Sequence, residues 1–160
     1  MVGLILKRFE KPDEVRVFDK GRFEIIQIGG MTIGRASYEP GWKWSQHVGP
    51  IAGKPLCDVE HVGVVVSGRA MAAFADGTQT ELTPGDLFHI PPTPHDSWVI
   101  GDEPYVSLHF LGADRYTSSR AARILTTKCA EGPDSRRAAT IVPLSFPVFT
   151  VKSEPGSQVG

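Results

Sequence analysis

The feature that most constrains this sequence is a regular alternation of short β-rich runs with tight turns. From position 15 to position 111 the runs are rich in Val, Ile, Thr, Tyr and Phe. The turn signals between them are Gly29-Gly30, Pro40-Gly41, Asp76-Gly77, Pro84-Gly85 and Gly101-Asp102. Asp-Gly between two alternating runs is typical of a hairpin. Many short strands at even spacing predict an all-β fold, either a sandwich or a barrel.

Length and charge narrow the function classes. With 160 residues, of which 41% are hydrophobic, the chain is long enough for one domain with a real core. A net charge of −1 argues against nucleic acid and against an anionic membrane surface as partners. No apolar stretch approaches the length of a membrane span. The two cysteines, Cys57 and Cys129, form no disulfide framework, which predicts a cytoplasmic protein with reduced thiols.

Three histidines stand beside turns or on a β-branched strand. Five residues separate Gly41 from His47, and six separate His61 from Gly68 in the run HVGVVVSG. Five residues separate Gly85 from Pro91, and His95 follows the proline-rich corner that Pro91 begins. Imidazole nitrogens bind Zn, Fe, Ni, Cu and Mn, so His47, His61 and His95 are the predicted ligands of one divalent metal ion.

This arrangement resembles the cupin family, whose first motif is G-x5-H-x-H-x3/4-E-x6-G and whose second is G-x5-P-x-G-x2-H-x3-N. A subgroup of small bacterial cupins is similar to the runs HVGVVVSGR and HDSWVIGDEP of this chain. The resemblance covers residues 22–112. It implies a jelly-roll β-barrel, also described as a double-stranded β-helix.

The sequence also departs from the family pattern. Gly49 stands where the family has its second histidine, and His61 stands where it has the glutamate. Thr93 replaces a glycine of the second motif. The resemblance therefore implies a metal shell made of histidines alone, with Fe, Zn, Mn or Ni as the ion.

Strand periodicity predicts which side chains share a face. Because alternate residues of a strand point the same way, His61, Gly63 and Val65 share one face, and Gly63 leaves room beside His61 for a ligand. If the segment KWSQHV is extended, Trp42 and Trp44 lie opposite His47. The two indoles are then predicted to pack and not to contact the metal.

Several further polar residues lie near the predicted site. Cys57 is a soft ligand, a reactive thiol or, as a free cysteine more often is, a buried small apolar residue. Glu60 is expected at the rim. For His89 and His109 a role in the pocket or in orienting a ligand is left open, and a solvated or satisfied histidine is favoured. Two weaker candidates are Asp96, as an acceptor that orients a ligand imidazole, and Arg35, as a partner for a substrate carboxylate.

The domain organisation follows from these boundaries. Residues 1–21 are predicted to form an N-terminal strand or arm, and residues 22–112 the barrel. Residues 113–160 are predicted to contain a short C-terminal helix with a cap at Asp114, followed by an extended tail. The apolar run IVPLSFPVFTV in this tail is predicted to dock on the barrel or on a neighbouring subunit, and a homodimer is expected.

Two functions remain open at this point. The first is a metal-dependent enzyme acting on a small oxygenated or carboxylated molecule, since three protein ligands plus open positions suit a catalytic metal. With Fe(II) such a site suits oxygenase chemistry, and with Zn or Mn it suits a lyase, isomerase or cyclase. The alternative is a non-catalytic protein that binds or senses a small molecule. The sequence assigns no catalytic residue.

Overall fold

The computed structural model describes residues 3–116, and nearly all of its regular structure is β. Of the predicted C-terminal helix and docking tail, residues 113–116 are described and form a turn, and residues 117–160 lie outside the described residues. The elements are β1 Glu14–Phe18, β2 Gly21–Ile28, β3 Met31–Tyr38, α1 Trp44–His47, α2 Gly49–Ala52, β4 His61–Ser67, β5 Arg69–Phe74, β6 Gln79–Leu82, β7 Leu87–Ile90, β8 His95–Ile100 and β9 Tyr105–Leu111.

The strands form two antiparallel sheets. The larger has the order β1-β2-β3-β9-β4-β7, and the smaller has the order β6-β5-β8. An isolated bridge between Lys43 and Trp98 extends the smaller sheet beyond β8. The chain therefore passes repeatedly from one sheet to the other, as in double-sheet folds built from Greek keys.

The predicted turns fix the strand register. Ile28 pairs with Met31 across Gly29-Gly30, and both glycines have positive φ, 57° and 79°. Two positive values of φ are what a type I′ two-residue hairpin requires. The Asp76-Gly77 turn joins β5 to β6 in the same sheet, as the sequence predicts.

The core lies between the two sheets and follows the period of two along each strand. On β4, His61, Gly63 and Val65 are buried and alternate with more exposed valines. On β9, Tyr105, Ser107 and His109 are buried in the same alternating way. Because the two strands pair antiparallel, their inward polar side chains meet inside the molecule.

One strand prediction is wrong. The run KWSQHV is not extended: after the bridge at Lys43, the chain turns into α1 and then into α2, which ends at a left-handed Gly53. The period-of-two argument for Trp42, Trp44 and His47 therefore does not apply. Within residues 3–116, no helix is long and apolar enough to cross a membrane.

Candidate metal centre

Three buried side chains with metal-binding atoms converge between the sheets. Cys57, His61 and His95 each offer one ligand atom, and these atoms lie within 4.8 Å of one another. The side chains are almost inaccessible to solvent, with exposed fractions of 2%, 4% and 2%. Sulfur and imidazole nitrogen are the ligand types preferred by zinc and other borderline or soft ions.

Backbone pairing positions this cluster. Cys57 and His95 exchange two backbone hydrogen bonds, each of 2.9 Å, across an isolated antiparallel bridge. His61 lies four residues after Cys57 at the start of β4, with its Nε2 3.4 Å from the Cys57 Sγ. The cluster thus joins the first residue of β4 to the first residue of β8.

His95 is held in one orientation. Its Nδ1–H donates to the Thr93 carbonyl oxygen at 2.8 Å. A metal-binding histidine ordinarily donates its other ring N–H to an acceptor of this kind. The Nε2 atom of His95 is therefore the one left to act as a ligand.

Burial keeps the imidazoles of this region neutral. It lowers the pKa of His61 to about 2, helped by the neighbouring His109 and His95. It also lowers the pKa of His109 to about 4 and, more than any other cause, that of His95. Neutral imidazole is the form that binds metal, so at neutral pH these histidines are in the protonation state that binds a metal ion.

Cys57 must lose its thiol proton before its sulfur can bind a metal ion. Burial raises the pKa of Cys57 to about 11, so the free thiol is protonated at neutral pH. A bound divalent cation favours the thiolate and displaces this proton. The donor set therefore fits a divalent ion, with one proton released on binding.

An inner cavity adjoins the cluster. It has about 40 Å³ of space for water-sized groups and is lined by Cys57, His61 and His95 together with aromatic and apolar side chains. Among the described residues, no Asp, Glu, Lys or Arg lines it. Such a volume holds about one to three water-sized groups.

An outer pocket of about 350 Å³ lies next to it. The two spaces share Trp44, Cys57 and Tyr116 in their walls. Lys54, Asp58 and Arg115 supply charge to the outer pocket. Lys54 and Asp58 form an ion pair at 2.6 Å.

The three predicted ligands do not all lie together. His61 and His95 are in the cluster, with ring centroids 5.6 Å apart. His47 is not among the clustered donors found within residues 3–116. Its Nδ1 accepts from the Lys43 backbone N–H at 2.9 Å, and its Nε2 lies 3.5 Å from an Asp19 carboxylate oxygen.

The weaker candidates have partners of their own. Asp96 accepts from the Ser45 backbone N–H and hydroxyl, while a carbonyl orients His95. Arg35 donates to the buried Glu24 carboxylate at 2.6 Å. Glu60 lies 2.9 Å from His89, and both side chains are solvent-exposed.

Sequence reasoning undervalued four residues of this region. Cys57 is a cluster member, while Trp42, Trp44 and His109 line the inner cavity. His109 could have been found from the alternation along β9. The two tryptophans could not, because their positions depend on the turn into α1.

The similarity of this chain to known proteins is low. No family model and no curated protein matches the sequence. Among solved structures, a Rhizobium leguminosarum protein of unknown function is 20% identical, with 56% of this chain and 78% of that chain covered and a TM-score of 0.44. A sugar phosphate isomerase of the cupin superfamily from Silicibacter pomeroyi is 19% identical, with coverage of 57% and 58% and a TM-score of 0.43. A cupin-2 domain from Rhodospirillum rubrum is 19% identical, with coverage of 66% and 65% and a TM-score of 0.43.

The chain has an all-β fold. Its own strands carry this statement, because they form two antiparallel sheets, and the chain crosses from one sheet to the other between β4 and β5, β6 and β7, β7 and β8, and β8 and β9. The all-β fold expected from the turn rhythm is confirmed.

Proposed function

We propose that this protein is a metal-dependent enzyme of cupin fold that acts on a small oxygenated or carboxylated molecule. The observation that supports this most is the convergence of Cys57, His61 and His95 on one point of a buried cavity. Three protein ligands with room beside them are typical of a catalytic metal and not of a structural one, which is closed by four ligands.

Cys57 in the donor set narrows the choice of ion. Thiolate suits zinc and iron and disfavours manganese, which prefers oxygen ligands. We therefore propose Zn²⁺ or Fe²⁺, of which zinc supplies Lewis-acid polarisation of a substrate oxygen.

The chain's own groups prepare the site for such chemistry. Thr93 fixes the ring of His95, and the aromatic walls of the inner cavity exclude bulk water. Tyr38 and Tyr116 share a hydroxyl hydrogen bond of 2.7 Å. Burial raises the pKa of both phenols well above 10. They are therefore neutral hydroxyls, which bind and orient a substrate but do not act as anions.

The first experiment is metal analysis of the purified protein after zinc reconstitution. We expect a single zinc ion per chain, and its loss in Cys57→Ser and in His95→Asn. His47→Asn is the matched control, since His47 bonds to Lys43 and not to the cluster. Circular dichroism checks that each variant is folded.

Two results would contradict the ligand set. Zinc retained in Cys57→Ser would remove the thiol from it. Zinc lost in His47→Asn to the same degree as in His95→Asn would restore the set of His47, His61 and His95 predicted from the sequence.

The alternative function is a non-catalytic protein that binds or senses a small molecule. The small size of the inner cavity favours it, because about 40 Å³ of space suits a small bound ligand. An enzyme turns over a substrate when loaded with metal, whereas a sensor binds without turnover. The homodimer and the cytoplasmic location expected from the sequence stay predictions, which size measurement and cell fractionation test.

A further inference from the structure

The inner cavity contains an unusual set of buried polar atoms without partners. Within residues 3–116 the buried side-chain nitrogens that lack a hydrogen bond are Nε1 of Trp42, Nε1 of Trp44, Nδ1 of His61 and Nδ1 of His109. All four side chains line the inner cavity. Their exposed fractions are 1%, 4%, 4% and 7%.

Native proteins seldom leave such atoms unpaired, because each costs free energy that a partner would recover. Four in one cavity indicate that the partner is something the cavity binds. His61 belongs to the metal cluster, but Trp42, Trp44 and His109 do not. A bound metal therefore leaves these three without a partner, and it leaves His61 Nδ1 without one as well when His61 binds through Nε2, the atom 3.4 Å from the Cys57 Sγ.

The chemistry of the three groups defines what they bind. An indole N–H is a donor and never an acceptor. His109 Nε2 lies 3.0 Å from the Ser107 hydroxyl. When the Ser107 hydroxyl donates to His109 Nε2, the proton of the imidazole resides on Nδ1. Three side chains of the cavity wall then each carry an N–H donor without a partner.

The charge of the cavity indicates which kind of hydrogen-bond acceptor it binds. Among the described residues no formally charged side chain lines the inner cavity. A divalent ion together with the Cys57 thiolate leaves one positive charge there. A monoanion with two acceptor oxygens balances this charge and offers lone pairs to several donors.

We propose that the inner cavity binds a carboxylate group through the N–H donors of Trp42, Trp44 and His109. This inference rests on the proposed function, since the metal cluster supplies the positive charge. The carboxylate is the head of a small molecule, because the cavity holds only a few heavy atoms. The remainder of a larger molecule fits the outer pocket, which shares the wall formed by Trp44, Cys57 and Tyr116.

The probe that tests this is formate, a carboxylate of three heavy atoms, titrated into ¹⁵N-labelled protein loaded with zinc. The chain has three tryptophans, so the spectrum has an internal control. We expect saturable shifts of the indole N–H signals of Trp42 and Trp44 and none of Trp98, which does not line the cavity. The imidazole nitrogens of His109 should report a proton on Nδ1.

Variants that keep a ring but remove the donor give the second measurement. Trp42→Phe, Trp44→Phe and His109→Phe should each weaken formate binding about tenfold, the effect of one hydrogen bond to a charged group, while zinc content stays unchanged. Trp98→Phe is the matched control and should bind formate as the unchanged protein does.

The outcomes separate the two proposals. If zinc binds but formate moves neither indole signal, or moves Trp98 equally, the carboxylate site is refuted and the metal site stands. If zinc does not bind, the proposed function is refuted. In that case the carboxylate site is tested by titrating formate into the metal-free protein. Shifts confined to the indole signals of Trp42 and Trp44 support the carboxylate site, and the absence of such shifts refutes it.

Discussion

At the scale of single residues, Cys57 combines two properties that oppose each other. Its side chain is 2% exposed and its pKa is raised to about 11 by burial, which makes the free thiol inert. Its Sγ nevertheless lies 3.4 Å from His61 Nε2, where a cation would convert it to a thiolate. A thiol that is unreactive without metal and ligating with it is protected from oxidation in both states.

The reactivity of Cys57 tests this description. In a Cys129→Ser chain, where Cys57 is the sole thiol, we expect slow reaction with a disulfide reagent at pH 8 in the absence of metal. The thiolate fraction is roughly a hundredth of that of an exposed cysteine. A thiolate of higher pKa is the better nucleophile, so the net rate should still be at least about tenfold lower. The same chain unfolded in urea is the control, and equal rates in the two states would contradict the burial of this thiol.

At the scale of elements, the pairing of β4 with β9 brings the inward-facing polar groups together. His61 begins β4, and Ser107 and His109 lie on β9 with their side chains inward. The register of this pair shifts between Val62 and Gly63. A β-bulge re-aims neighbouring side chains, and here it adjoins His61.

Gly63 has a different role from the one its sequence position indicates. A Cβ at this position would lie 2.3 Å from the Leu108 carbonyl oxygen and 2.6 Å from the Phe88 ring. The prediction that Gly63 leaves room for a ligand is therefore wrong, because the neighbouring strand β9 and the Phe88 ring already fill that space. The glycine is needed for close approach of β4 and β9.

Gly63→Ala should therefore force the two strands apart and destabilise the fold by about 3 kcal/mol, at the upper end of ordinary overpacking. Gly77→Ala is the comparison. Gly77 has open space around it but a φ of +89°, so its cost should be only the backbone strain of about 1 kcal/mol. Urea denaturation measures both, and an equal or smaller loss for Gly63→Ala would show that the strands can adjust.

At the scale of the whole molecule, the accuracy of sequence reasoning depends on how local each feature is. The alternation along β4 predicts the inward face of His61 because both depend on neighbouring residues. The convergence of Cys57 on His95 depends on a bridge between residues far apart in sequence, and no local pattern reports it. The strand assumed around Trp42 and Trp44 is absent because the chain turns into α1, although both indoles pack in the core as expected.

The buried histidines also link the stability of the whole fold to pH. Burial is the main cause that lowers the pKa of His61 to about 2, of His109 to about 4, and of His95 below its usual value. In the unfolded chain each has a pKa of about 6.5. Above that value all are neutral in both states and contribute nothing to pH dependence. As the pH falls below it, the unfolded chain gains protons that the folded chain does not, so the folded state loses stability.

Each histidine of this kind should lower the free energy of unfolding by about 1.4 kcal/mol per pH unit. The metal-free protein, followed by urea denaturation from pH 7.5 to 5, should thus be stable at neutral pH and lose stability steeply on acidification. His109→Phe should reduce the slope of the free energy of unfolding against pH by the contribution of one histidine. His89→Asn, which removes an exposed imidazole, is the control and should leave the slope unchanged.

Zinc should stabilise the protein at neutral pH, and this stabilisation should be lost on acidification as protons compete for its ligands. A metal-free protein whose stability is constant over this range would show that protons reach these imidazoles freely, and the buried, neutral cluster would then be refuted.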